Sequence, residues 1–67
     1  MAHRFNTGDT IHDIDGNTYI VEGDQAVLYR DGVPMAIRYD LTEGNMAECF
    51  RFREEFEALL YKLRDKA

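Results

Sequence analysis

The stretch Ile11–Val21, IHDIDGNTYIV, holds the side chains of this chain best suited to chemistry. It places His12, Asp13, Asp15 and Asn17 around one glycine. Oxygen ligands at alternate positions are typical of the start of an EF-hand calcium loop. The same residues are also typical of a hairpin turn with solvated acids. The two interpretations imply opposite roles, a metal or catalytic site or a structural bend.

The hairpin interpretation is favoured by the residues that follow. An EF-hand loop that began at Asp13 would need glycine where Thr18 stands and a bidentate glutamate where the shorter Asp24 stands. Residues 18–21 also have the composition of a strand, which would straighten the loop. We therefore expect a turn at this point, no metal site and no cofactor.

The sequence also argues against an enzyme. His12 and Asp13 are neighbours, so in a strand they would point to opposite faces and could not act together as a base and its orienting group. The chain has no serine, and its one cysteine, Cys49, falls on the apolar face of a predicted helix, where a thiol is inert. We expect no catalytic residues, although an oligomer could still build a small-molecule site between subunits.

Glycine-centred turns divide residues 10–41 into segments rich in Ile, Val, Tyr and Thr. Asp-Gly between such segments is a strong hairpin signal, because glycine accepts the positive φ of a tight turn. The pattern predicts an antiparallel β-meander of three or four strands, strongly bent because both strand faces carry apolar residues. The turns lie at Asp15-Gly16, Gly23-Asp24 and Asp31-Gly32.

The clearest strand is Val33–Leu41, in which apolar residues alternate with others. Pairing across the preceding turn would place Ala26 opposite Ile37. Pro34 cannot donate to a ladder, so this strand should lie at a sheet edge or carry a bulge. The stretches GDTI and DGNTYIV, within residues 8–21, resemble the opening strands of SH3-like small barrels. The resemblance implies the same strongly bent sheet.

After Leu41 the periodicity becomes helical, and it predicts one long helix over about 46–65. Asn45 and Glu48 have the spacing of a capping box at its start. An apolar stripe should pack on the inner face of the sheet; it consists of Cys49, Phe52, Phe56, Leu59, Leu60 and Leu63. A second apolar group predicts a surface for a partner or a second copy, or a wider groove within the monomer; it consists of Met46, Phe50 and Tyr61. The fold class is therefore α+β, a single domain over residues 1–67.

Acidic residues dominate the first two thirds of the chain. The net charge is −5, and residues 1–45 hold eight acids against three bases. Such a field repels nucleic acid phosphates and attracts a partner with a basic surface. Solubility alone would also explain the acids. Those at predicted turns and strand ends are Asp9, Asp13, Asp15, Asp24, Asp31 and Asp40.

Together these features favour a non-enzymatic, small acidic protein-binding module. It would be an inhibitor or adaptor that docks on a larger protein, by analogy with small phage-encoded inhibitors that mimic nucleic acid. One alternative is a small β-barrel that binds nucleic acid through Tyr29, Arg30, Arg38 and Tyr39. Another is an oligomer, a homodimer for example, that sequesters a small molecule.

The chain also carries expectations about location. The polar start, Met1–Arg4, predicts no signal peptide. No stretch reaches the roughly 20 apolar residues of a membrane span, so we expect no membrane partner. One free cysteine is typical of a reducing compartment, which indicates the cytoplasm.

Overall fold

The computed structural model describes residues 3–65. An antiparallel sheet and one C-terminal helix confirm the α+β fold class. The sheet is open, and its strands lie in the order β4-β3-β2-β1-β5. A 3-10 turn, Met46–Cys49, precedes β5. The strands are β1 (Thr10–His12), β2 (Thr18–Glu22), β3 (Gln25–Arg30), β4 (Val33–Asp40) and β5 (Arg51–Phe52), and the helix is α1 (Arg53–Asp65).

The hairpin turns follow from local chemistry, as predicted. Val21 pairs with Ala26 across the β2–β3 turn, and Arg30 pairs with Val33 across the β3–β4 turn. The second turn needs two successive residues with positive φ, and Asp31-Gly32 supplies them at 55° and 77°. Aspartate and glycine are residues that tolerate this backbone, so the dipeptide fixes the loop length and the first pair of the ladder.

Farther along, the predicted register is wrong. Ala26 pairs with Tyr39 and not with Ile37, because a bulge interrupts the ladder. The ladder is regular up to the pair Tyr29–Pro34 and again from the pair Val27–Arg38. Between these two pairs, the single residue Leu28 of β3 lies opposite residues 35–37 of β4. The bulge follows Pro34, which lacks an N–H to donate, and β4 lies at an edge of the sheet as expected.

One face of the sheet carries the core. The N-terminal segment and the loop after β4 cover this face with Phe5, Leu41 and Phe50, which are all nearly inaccessible to solvent. Full burial of one such apolar side chain contributes about 1.5–3 kcal/mol, so these residues supply much of the stability. The buried cluster consists of Phe5, Ile11, Tyr19, Val21, Ala26, Leu28, Leu41 and Phe50.

The predicted long helix over about 46–65 is divided in the structure. Residues 46–52 form the 3-10 turn and β5, and α1 begins only at Arg53. The reason is tertiary: Phe50 is in the core, and Phe52 pairs with Ile11 of β1. Asn45 makes no side-chain cap, so the predicted capping box is wrong.

The helix does not cover the inner face of the sheet. Nothing in α1 is fully buried, and Cys49, expected on a buried stripe, is exposed. Phe56 packs beside His12, with ring centroids 5.5 Å apart. His12 follows the core residue Ile11 in β1, so its side chain points to the opposite face of the sheet. The helix contacts the strands β1 and β5, so it lies beside that edge of the sheet.

A polar contact fixes the start of α1. The Glu55 carboxylate accepts the Phe52 backbone N–H at 2.9 Å and two guanidinium N–H groups of Arg4 at 2.9 and 3.1 Å. The Arg4 guanidinium also lies over the rings of Phe5 and Phe52. Glu55 thus caps the helix and ties it to the N-terminal segment, and the Arg4 guanidinium lowers the pKa of its carboxyl.

Candidate functional site

The Asp13 carboxylate organises the first hairpin turn. One oxygen accepts the backbone N–H groups of Asp15 at 3.0 Å and Asn17 at 2.9 Å. The other accepts the Asn17 side-chain amide and the Tyr19 hydroxyl, both at 2.9 Å. Four protein donors therefore converge on a single carboxylate. This is the arrangement of an Asx-type turn that is extended into the adjoining strand.

Hydrogen bonds have a larger combined effect than burial on the pKa of the Asp13 carboxyl. Burial works to raise the pKa of Asp13, but the hydrogen bonds from Asn17, Tyr19 and Asp15 lower it on balance. Burial and the adjacent Asp13 raise the pKa of Tyr19, so its hydroxyl stays protonated as a donor. The pair is thus one carboxylate and one neutral phenol at neutral pH.

The calcium-loop interpretation fails on placement. Asp24, which would supply the last ligand, lies beyond the far end of β2, whereas Asp13 and Asp15 lie before it. A five-residue strand is about 17 Å long, far beyond the reach of a shared ion. Within residues 3–65, no three His, Cys, Asp or Glu side chains are grouped so that they could hold a metal ion.

The six acids of the predicted partner surface divide between the two ends of the sheet. Those beside the β2–β3 turn are Asp9, Asp24 and Asp40, and those at the opposite end are Asp13, Asp15 and Asp31. Local hydrogen bonds engage Asp9, which accepts the Asn6 N–H, and Asp40, which accepts both the N–H and the hydroxyl of Thr42. The Thr42 bonds lower the pKa of Asp40. The sheet therefore presents two small acidic ends and not one acidic patch.

His3 and Arg38 lie close to the acids at the β2–β3 end of the sheet. The side chain of His3 packs against the β2–β3 turn, with only 4% of it exposed. Its Nε2 donates to the Gly23 carbonyl at 3.1 Å and lies 3.5 Å from an Asp24 oxygen. Arg38 lies 3.8 Å from Glu22.

Met46, Phe50 and Tyr61 do not share a helix face. Phe50 is 3% exposed and packs edge-on against Tyr19, with ring centroids 4.8 Å apart. Met46 is partly buried against the same core. Tyr61 alone is open to solvent, at 72%. Two members of the second apolar group, Met46 and Phe50, therefore pack into or against the core, and Tyr61 is left exposed.

The four residues of the nucleic-acid alternative do not form one platform either. Tyr39 faces the core side, near Tyr19, because it pairs with Ala26. Tyr29 has the opposite parity in β3, since it lies an odd number of residues from Ala26. The Arg38 guanidinium donates to the Gln25 side chain at 3.0 Å.

The largest unexpected feature is the exposure of β4. All eight of its residues are exposed, whereas its neighbour β3 contains three buried ones. We call the four large apolar side chains of this strand the β4 surface; they are Val33, Met35, Ile37 and Tyr39. Their alternation predicted a core face, but nothing in the described part of the chain covers them fully. The sequence did contain an indication of this exposure, because the segment that follows β4, residues 41–50, is too short to cover a strand of eight residues.

A second exposed surface lies on α1. Glu57, Leu60, Tyr61 and Arg64 line a shallow groove. Their spacing of three and four residues places them on one side of the helix. We call these four residues the α1 face. Its two apolar members lie between an acid at one end and a base at the other.

No protein-family model matches the chain, and no curated protein or solved structure matches it significantly. Among residues 3–65, no helix combines the length and apolar character needed to cross a membrane.

Proposed function

We propose that this chain is a non-catalytic protein-binding module, an inhibitor or adaptor that docks on a larger protein through the β4 surface. The observation that carries the proposal is that every residue of the eight-residue strand β4 is exposed and that four of them are large apolar residues. Contiguous exposed apolar surface is a mark of interaction sites on small proteins.

The partner should bind the apolar side chains of β4 and should not add a strand to the edge of the sheet. Pro34 lacks an N–H, and the bulge beside Leu28 disrupts the backbone ladder. Both features oppose pairing with another strand. The β4 surface is therefore suited to an apolar groove on the partner.

Charge gives the docking an orientation. Asp31 precedes β4 and Asp40 ends it, so an acid stands at each end of the apolar strip. Neither is sequestered in the interior, since both are exposed. A partner with a basic rim around an apolar groove would complement this surface, and opposite charges would speed the encounter.

The non-catalytic part of the proposal rests on the fate of the reactive groups. Four protein donors occupy Asp13, and its fellow acids are divided between two ends of the sheet. The exposed thiol of Cys49 lies 3.8 Å from a backbone carbonyl, that of Asn45. This carbonyl could accept a hydrogen bond but could not take the proton from the thiol.

A capture experiment tests the docking. The purified chain is immobilised, exposed to lysate of the source organism, and the bound proteins are identified at low and at physiological salt. We expect one dominant partner that Met35→Lys and Ile37→Lys variants lose and that rising salt weakens. Leu63→Lys is the matched control, because Leu63 is an exposed apolar residue, at 55%, on α1.

Equal capture by the wild-type chain and both β4 variants would contradict the proposal. A loss of capture in the Leu63→Lys control as large as in the β4 variants would also contradict it, because the binding would then reflect general stickiness. Thermal melts of all variants confirm that each is folded before capture is compared.

A further inference from the structure

We propose that two copies of this chain associate through the α1 face, with their helices antiparallel across a two-fold axis. The α1 face consists of Glu57, Leu60, Tyr61 and Arg64, and it is open to solvent along α1. The occupant of this groove is a second copy of the same face.

The spacing of the four residues is self-complementary. If two helices run antiparallel with the axis between Leu60 and Tyr61, each Leu60 faces the Tyr61 of the other copy. The same register places each Glu57 opposite the Arg64 of the other copy. One symmetric contact thus contains two apolar pairs at the centre and two ion pairs at its ends, as an isologous interface requires.

Charge also selects the direction of the helices. In a parallel pair, Glu57 would face Glu57 and Arg64 would face Arg64, and like charges in contact are unfavourable. The antiparallel pair converts both repulsions into attractions. It also sets the acidic first half of each helix against the basic last turn of the other.

The residues are free enough to make these contacts. Tyr61 is 72% exposed and Leu60 is 36% exposed, so each has apolar area left to bury. The Glu57 side chain is 63% exposed. One Glu57 oxygen accepts from Arg53 at 3.1 Å, which leaves the second oxygen for the other copy.

The area limits the strength of this dimer. A helix of 13 residues is about 20 Å long, so a single helix pair gives an interface at the small end of the known range. The dimer should therefore be weak and depend on concentration. Sedimentation velocity is suited to this case, with loading concentrations from about 10 μM to about 1 mM.

The decisive experiment exchanges the charges on separate chains. We expect the wild-type chain to approach the mass of two chains at the upper concentrations. Glu57→Arg and Arg64→Glu should each raise the dissociation constant about tenfold or more, because each variant faces two like-charge pairs across the axis. An equimolar mixture of the two variants should dimerise again, since every cross-chain pair then has opposite charges.

The mixture also separates association from folding, because a damaged helix cannot be restored by adding a second damaged chain. Lys62→Glu is the matched control: it makes the same charge change as Arg64→Glu in the same turn, but on the far side of the helix. It should leave the dissociation constant within about twofold of wild type. A wild-type chain that stays monomeric over the range, or a mixture no more dimeric than its components, would overturn the proposal.

Discussion

Replacement of Asp13 tests whether the acid-rich first turn is structural. In Asp13→Ala the Tyr19 hydroxyl loses its acceptor inside a residue that is only 3% exposed. A buried donor left in this way costs about 1 kcal/mol or more. The backbone N–H groups of Asp15 and Asn17 lose the same carboxylate, but water can reach this exposed turn, so each costs about 0.5 kcal/mol.

The sum is about 2 kcal/mol, a large fraction of the stability of so small a domain. In a chain of this length it corresponds to a fall in Tm of roughly 8–16 °C. Thermal and urea unfolding followed by circular dichroism measure it. Asp15→Ala is the matched control, because it removes an exposed acid from the same turn and should change stability by less than about 0.5 kcal/mol.

A double-mutant cycle isolates the contact itself. In a Tyr19→Phe background there is no Tyr19 hydroxyl to lose its hydrogen-bond acceptor. Asp13→Ala should therefore reduce the free energy of unfolding by about 1 kcal/mol less than it does in the wild-type chain. The reasoning is refuted if the two substitutions are additive. It is equally refuted if Asp13→Ala melts within a few degrees of Asp15→Ala.

Three further outcomes follow from the structure. Phe50→Ala should lose about 3–5 kcal/mol in urea unfolding because it opens a cavity in the core, whereas Tyr61→Ala should change stability by less than about 0.5 kcal/mol. Arg4→Met should lower Tm by less than Asp13→Ala does, with a loss that shrinks as salt rises, because its partner Glu55 is solvent-exposed. The folded-state pKa of Asp13 lies below its ordinary value of 3.8, so its stabilisation is present above that pH and is lost as pH falls further. Asp13→Asn should therefore flatten the acid limb of the stability curve below about pH 4, measured by urea unfolding at stepped pH.

The parts of the fold that sequence predicts are those that local chemistry decides. Asp31-Gly32 fixes a two-residue hairpin because both residues accept positive φ, and the first pair of the ladder follows. The acids were correctly expected at turns and strand ends for the same reason. The Tyr19 contact to Asp13 was not foreseen, because it depends on a strand that folds back beside the turn.

The parts that sequence misses depend on distant partners. Residues 46–52 have a spacing that a helix would also satisfy, but Phe50 fills the core and Phe52 pairs with Ile11, more than forty positions away in the chain. Tertiary burial thus overrides the helical period. The alternation in β4 indicated a buried face, yet alternation shows only which side chains share a face and not whether anything covers them.

The two proposed surfaces lie at opposite edges of the sheet, and this separation makes them independent. In the strand order β4-β3-β2-β1-β5, α1 packs beside β1 and β5, so the two strands β3 and β2 separate it from the β4 surface. Neighbouring strands are about 4.8 Å apart, which places the two edges roughly 19 Å from each other. Association through α1 would therefore leave both β4 surfaces of the dimer open, and the dimer would engage a repetitive partner at two points.

Against an immobilised partner, Glu57→Arg should weaken apparent binding by removing this second contact, while against the same partner in dilute solution it should bind as well as wild type. Equal weakening in both formats would mean that α1 itself touches the partner, and the division of roles between the two edges would be wrong.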